Sequence, residues 1–455
     1  MHDPHLHLLV DDAEVLGRRG LTRLIERPQR VTPDPVLRPE RPWESNSVSV
    51  WGSIYRVGGR YRMWYMGAHL ADVPSASLCY AESDDGLRWE RPALDRVPQA
   101  GPGNNLALID EREPRLRRLY PATVLYDPDL DPQRRYAFIS FFHDVAGGRG
   151  YVVAFSADGV DWRLHPERVA LPRGDRTAVM QDFIRGGYVM TSRSDRDLSI
   201  DRRELAVRRD IAVSRSADLL SWTPTTRVFD ADDADDPACE FYGMPLFNWG
   251  NQYLGLLERY DPTNEILDVQ LASSRDGDRW ERACARATYV HTGPSDAWDS
   301  SWVAMSMSPP VVDGDRMLMW YTGRPYAHRP LQGAPLRSAI GLLRAPRDRF
   351  AGLRAGPGGG ALTTTEVTVG GPRLLLNIGA AAGPVSVAVL GDTAPIAGFG
   401  HDDWDRRVES GVDVPVSWGG RDLGALAGRR VRLNFRITYA TLFAYRFAAA
   451  RRSRP

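Results

Sequence analysis

Cysteine is scarce in this chain of 455 residues: only Cys79, Cys239 and Cys284 occur. Their number is odd and their spacing wide, which excludes the close Cys pairs of zinc ribbons and the framework of a disulfide-stapled domain. They read as free thiols. Charge of one sign is lacking too, since 58 Lys and Arg balance 58 Asp and Glu. A zero net charge supplies no field for a polyanion, so no nucleic-acid partner is expected. No apolar run approaches the ~18 residues of a membrane span. The opening Met1-His2-Asp3-Pro4-His5 has neither the basic start nor the apolar stretch of a signal peptide. The expectation is a cytoplasmic protein with no membrane partner. His2, His5 and His7 read as part of a frayed terminus rather than a metal tract. Amphipathic helical periodicity is scarce as well, which leaves β-structure.

What the chain has instead is a repeated phrase: a strand ending in Ser, a tight turn carrying Asp-Gly, then Trp. It runs Ser83-Asp84-Asp85-Gly86-Leu87-Arg88-Trp89, Ser156-Ala157-Asp158-Gly159-Val160-Asp161-Trp162 and Ser274-Arg275-Asp276-Gly277-Asp278-Arg279-Trp280, with a degenerate copy at Ser216-Ala217-Asp218-Leu219-Leu220-Ser221-Trp222. The four tryptophans stand 73, 60 and 58 residues apart, and Phe350 ends a fifth unit 70 further on. Upstream in each unit an apolar strand reaches a Gly- or Asp-rich turn and an aromatic strand leaves it, as in Gly58-Gly59 before Tyr61-Arg62-Met63-Trp64-Tyr65. Two hairpins make four antiparallel strands per unit, and such units around an axis are propeller blades. The repeated tryptophans read as packing between blades.

The fold class is therefore all-β: a five-bladed β-propeller over 41–353, followed by a β-sandwich over 361–455. Residues 1–40 are expected to pack on the propeller or complete it. The Gly/Pro-rich stretch 354–360 reads as a linker, and it lacks the strand-to-helix setting of a phosphate loop. Beyond it, period-two alternation returns in Leu374-Leu376-Ile378, Val385-Val387-Val389 and Val431-Leu433-Phe435-Ile437.

The stretches Pro35 to Glu44, Tyr61 to Tyr65, Phe241-Tyr242-Gly243-Met244-Pro245, Ser274 to Gly277 and Ala297-Trp298-Asp299-Ser300 resemble the propeller proteins near glycoside hydrolase families 32 and 43. The C-terminal region is similar to the accessory sandwich of fructan-cleaving enzymes. The resemblance implies action on a glycosidic bond. The signature motifs of family 32 are missing: there is no Trp-x-Asn-Asp-Pro-Asn and no Arg-Asp-Pro, and the Glu-Cys pair stands reversed as Cys239-Glu240.

Propeller geometry places the chemistry independently, because the first strand of each blade starts, and the second ends, at one rim of the central channel. Those positions hold Glu44, Asp175, Glu240 and Asp299, expected as the catalytic carboxylates, and Arg176, Arg193, Tyr242, Arg259, Trp298, Arg324, His143 and His328, expected to bind substrate. Glu258 also falls at the rim. Glycoside hydrolysis needs one carboxyl to protonate the leaving oxygen and another as base or nucleophile, flanking an oxocarbenium-like transition state. Glu240 is expected as the acid and Asp175 as base or nucleophile, with Asp299 and Glu44 holding hydroxyls. No metal and no cofactor are expected. The partner is a short oligosaccharide or glycosylated small molecule. Two other functions fit the same residues: a tailoring enzyme such as a cyclase or lyase, and a glycan-binding protein without turnover.

Overall fold

The computed structural model describes the chain apart from residues 68–77, 108–115, 145–148, 168, 170–173, 175, 198–206, 327–336, 380–381, 406–409 and 451–455. It is built almost wholly of antiparallel strands. Among the described residues no helix is long and apolar enough to cross a membrane.

The repeat units fold as successive sheets. The first pairs Ile54–Val57, Arg60–Met66 and Leu78–Ser83. The second orders Leu116–Tyr126, Tyr136–Asp144, Arg149–Ser156 and Trp162–Leu164 as a meander. The third does the same with Ala178–Gln181, Tyr188–Asp197, Val207–Ser216 and Thr226–Phe229. The fourth is centred on Gln252–Asp261 and Ile266–Ser274, with Glu240–Gly243 and Leu246–Trp249 as its broken first strand. The fifth is centred on Arg316–Arg324 and Ala339–Pro346. A single parallel pair, Leu267 with Trp302, joins the fourth to the fifth.

Each first strand has a free edge facing its neighbour, and backbone N–H groups buried there need acceptors. Hydroxyl side chains supply them. Val124 N donates to Ser53 Oγ at 3.1 Å and Val179 N to Thr123 Oγ1 at 3.0 Å, tying the first sheet to the second and the second to the third. Thr191 Oγ1 donates to Met244 O at 2.5 Å, from the third sheet to the fourth. Ile54 N donates to Ser308 Oγ at 3.0 Å and Val50 N to Thr322 Oγ1 at 2.9 Å, so the fifth sheet closes on the first. This closed series of radial sheets is the arrangement of a β-propeller.

The Ser-x-Asp-Gly-x-x-Trp phrase is a built turn. Ser156 Oγ accepts from Gly159 N at 2.9 Å, and Asp158 Oδ1 accepts from Val160 N and Asp161 N at 2.9 Å each. The left-handed φ of +84° at Gly159 opens its carbonyl to Trp64 of the preceding sheet, whose Nε1 donates at 2.7 Å. Gly86 O takes Trp320 Nε1 at 3.2 Å in the same way. The repeated aromatics pack between sheets, as Trp89 does edge-on to Trp320 with centroids 6.0 Å apart.

After the fifth sheet come two packed sheets. One holds Ala351–Ala355, Arg373–Gly379, Gly411–Val416 and Ala440–Ala448; the other holds Gly360–Thr364, Val367–Thr368, Val385–Leu390 and Arg430–Ile437. Leu353, Leu362, Leu376, Val387, Trp418, Phe435 and Leu442 fill the space between them. Residues 354–360, expected as a linker, carry the end of one of these strands, a turn and the start of the next.

The N-terminal residues do more than pack on the propeller. Leu6–Leu8 pairs with Ala440–Ala448, Val15–Arg19 with Gly360–Thr364, and Thr22–Ile25 with Ala351–Ala355, so three strands belong to the sandwich. Gln29–Arg30 then adds to Ala339–Pro346, supplying the outer strand of the fifth sheet. The expected fraying of the histidines is overturned: His7 is buried and stacks on Tyr445 at 4.6 Å, and His2 Nδ1 lies 3.0 Å from Gly250 O.

Candidate active site

Period-two alternation decides which side chains of Gln252–Asp261 turn toward the axis. Glu258 is fully buried there, whereas its neighbour Arg259 faces its cross-strand partner Asp268, donating through Nε at 2.9 Å and Nη2 at 2.6 Å. A one-residue difference in facing thus sets Arg259, expected to bind substrate, against Asp268 and not beside Glu258.

Glu258 meets Arg176, which stands just ahead of the strand Ala178–Gln181. Arg176 Nε donates to Glu258 Oε2 at 2.8 Å, Nη2 donates to Oε1, and the same Nη2 reaches Met305 O at 2.6 Å. Met305 N donates back to Glu258 Oε1 at 2.9 Å. The two charges are wholly buried. Such a pair is tolerable only because it is bidentate and its remaining oxygen lone pairs are used. The guanidinium lies 5.3 Å from the Trp51 ring centre. Close approach demands Gly243, where a Cβ would stand 2.3 Å from Arg176 Cγ. Third, fourth, fifth and first sheets thus meet at one point.

Beside this pair stand Tyr242, Tyr260 and Trp302, with Tyr242 and Trp302 edge to face at 4.9 Å. Arg324 ends the strand Arg316–Arg324, is 9% exposed, and lies 4.8 Å from the Trp302 ring centre. Burial, with Arg337 and Arg176 adding repulsion, pushes its guanidinium down to about 10. Glu240 begins the strand Glu240–Gly243, and its side chain is 13% exposed. It pairs with Arg209, whose guanidinium also sits 5.6 Å from Tyr242 and 5.7 Å from Tyr260. Burial works against the charge of Arg209, but the Glu240 carboxylate outweighs it and holds the guanidinium above its ordinary value.

The expected residues do not all meet at this point. Arg176, Glu240, Tyr242 and Arg324 come together at this cluster. Arg193 is half-buried, and a Cβ at Gly174, two residues before Arg176, would stand 2.7 Å from its backbone carbonyl. Asp175 and His328 lie outside the described residues, as does the side chain of His143.

Glu44, Asp299 and Trp298 do not join the cluster. Glu44 accepts from Glu40 N, Arg41 N, Tyr65 Oη and Arg91 Nε at 2.7, 3.1, 2.6 and 2.8 Å, so its oxygens are fully engaged in bracing a buried turn. Asp299 is buried between Arg30 of the N-terminal strand and Tyr321, each donating to Oδ2 at 2.7 Å. Trp298 stacks on Tyr321 and donates to Pro33 O at 3.0 Å. Both acids were placed at the rim by strand position, but they serve the joint with the N-terminal segment, which strand position does not encode.

The sequence reading gave no role to Trp51, Arg209 and Trp302, and left Glu258 at the rim without one. Alternation puts Glu258 on the face of Leu254 and Leu256 and Arg259 on that of Tyr253 and Leu257, but both faces are buried, so it does not say which one meets Arg176. Among the described residues no group of three or more His, Cys, Asp or Glu could hold a metal.

Fold and site together define a propeller protein with a charged, aromatic-walled centre. No protein-family profile matches the chain, and no curated protein matches it. Solved structures do. A thermostable family-43 glycoside hydrolase is 12% identical, with a TM-score of 0.46, over 68% of this chain and 93% of the other. The β-1,2-mannobiose phosphorylase of Listeria innocua, solved with β-1,2-mannobiose, is 14% identical at a TM-score of 0.49, over 70% and 97%. An N-acetylgalactosamine deacetylase from F. plautii, solved with a blood group B trisaccharide, is 16% identical at 0.43, over 76% and 96%.

Proposed function

We propose that the chain is a five-bladed propeller enzyme of the glycoside hydrolase kind, cleaving a short oligosaccharide or a glycosylated small molecule. The observation that supports this reading is the position of Glu240. Its partly open carboxylate begins a strand beside Tyr242, Tyr260 and Trp302, whose buried rings form the wall behind it. Glu240 acts as general acid, its carboxyl oriented by Arg209. Asp175, one residue before Arg176, is the base or nucleophile. Arg176 and Tyr242 orient the ring, and Glu258 is a positioning residue that fixes Arg176.

The test is release of a chromogenic leaving group across a panel of aryl glycosides. Glu240→Gln and Asp175→Asn are each expected to reduce kcat by at least about a hundredfold with Tm nearly unchanged. Retained turnover in either variant removes that residue from the mechanism.

A specific observation favours a second reading, a glycan-binding protein without turnover. Two of the four expected carboxylates, Glu44 and Asp299, are buried in ion pairs with Arg91 and Arg30. That leaves Glu240 as the one of the four with a described and partly open side chain. Glycan affinity in the wild type, with no cleavage of any bound glycan, would decide for binding.

A further inference from the structure

The central cluster holds more positive charge than its own residues neutralise. Arg209 is matched by Glu240, and Arg176 by Glu258. Arg324 is left over. Among the described residues its guanidinium makes no ion pair and no hydrogen bond, and its Nε is buried without a partner. Glu258 is within electrostatic range, but both its oxygens already receive Arg176, and Oε1 also receives Met305 N. Among the described residues three further buried donors of the cluster have no partner: Arg176 Nη1, Arg209 Nε and the indole Nε1 of Trp51. The first and last of these carriers touch, since Arg176 lies over the Trp51 ring.

Buried donors without acceptors are costly, and a buried unpaired cation more so. A fold retains them where a ligand completes the set. A planar guanidinium presents a fork that matches the two oxygens of a carboxylate or phosphate, and the buried Trp302 ring backs that of Arg324.

We propose that this cluster recognises an anionic sugar, capturing its carboxylate or phosphate oxyanion through Arg324. The sugar part of the proposal rests on the carbohydrate reading above; the capture of an oxyanion does not need turnover. The substrate class becomes a uronic acid glycoside or a phosphorylated sugar.

The experiment is calorimetric titration of the intact protein with glucuronate, galacturonate, glucose 6-phosphate, inorganic phosphate, glucose and galactose. Wild type is expected to bind at least one sugar anion about tenfold or more tightly than its neutral parent, and Arg324→Gln to lose that preference. Arg429→Gln, an exposed charge in the sandwich, is expected to keep it. Inorganic phosphate that displaces the sugar anion confirms an oxyanion site and gives its source as free anion. Failure of phosphate to compete, with the sugar anion still preferred, gives the source as the sugar itself.

Equal affinity for neutral and anionic sugars in wild type overturns the proposal, as does a preference unchanged in Arg324→Gln. Should that variant not fold, the Arg324 Nε–H resonance of the wild type, assigned with Arg324→Lys, must shift on anion addition; a stationary resonance overturns the proposal equally. Anion preference without cleavage on the chromogenic panel would remove the hydrolase and keep this site. Cleavage of neutral glycosides at the wild-type rate by Arg324→Gln would remove this site and keep the hydrolase.

Discussion

At the scale of single residues, the centre of the molecule is governed by what it costs to bury charge. Arg176 and Glu258 are each out of water, and their mutual attraction compensates only while both are present. Glu258→Gln keeps the shape and strands the guanidinium, so it is expected to lower unfolding stability by about 3–5 kcal/mol. Arg176→Met alone strands the carboxylate at similar cost. The double variant, with both groups apolar as Arg176→Met and Glu258→Met, should lose less than the two singles together. Urea unfolding of the three variants measures this; strict additivity would mean that the pair is not the source of the cost. This scale was the least legible in the sequence. Charges at strand ends could be named, but Glu44, Asp299, Arg259 and Glu258 differ in which neighbour each faces. Arg30, Arg91 and Asp268, the partners that settle the matter, are far away in the chain or across a strand pair.

At the scale of the element, the repeated turn was legible because its chemistry is local. Ser, Asp and Gly are set by hydrogen bonds within five residues, and the same bonds recur at Ser83, Ser216 and Ser274. The copy at 216–222 shows how strongly the geometry is imposed: Leu219 takes the glycine position with φ at +71°. Two glycines of equal φ separate the conformational cost from the packing cost. At Gly186, φ +84°, a methyl group would meet nothing within 4 Å; at Gly159, φ +84°, it would stand 2.5 Å from Trp64 Cζ2. Gly186→Ala is expected to cost about 1–2 kcal/mol, and Gly159→Ala about 2–4 kcal/mol because the ring of a neighbouring sheet must also move. Equal losses in thermal unfolding would show that the turn does not lock one sheet to the next. The N-terminal strands escaped the sequence reading for the opposite reason. Short, polar stretches such as Val15–Arg19 become strands only because partners more than three hundred residues away offer free edges.

At the scale of the whole molecule, the N-terminal segment fastens sandwich to propeller, and carboxylates hold it there. Glu14 lies between His7, whose Nδ1 is 3.0 Å away, and Asn251 of the fourth sheet, whose Nδ2 donates at 2.7 Å. Burial would raise the Glu14 carboxyl, but the His7 hydrogen bond, with His7, Arg275 and Asn251 beside it, holds it below its ordinary 4.5. Asp12 is likewise held below 3.8, chiefly by the Arg23 guanidinium. A carboxyl whose folded value is depressed binds fewer protons folded than unfolded, so stability rises with pH across that interval. The contribution is complete above about pH 4.5, the ordinary value of Glu14, and drains away as the pH falls through the folded value. The protection of residues 6–25 against amide exchange, taken relative to the intrinsic rate at each pH, should therefore fall on acidification below that point, ahead of the inner strands of the propeller. Glu14→Gln should show the lower protection already at neutral pH and a smaller further change in acid. If the variant and the wild type keep the same separation at pH 3 as at pH 7, Glu14 does not carry the fastening, and the strand pairing of Val15–Arg19 with Gly360–Thr364 holds the two lobes together without it.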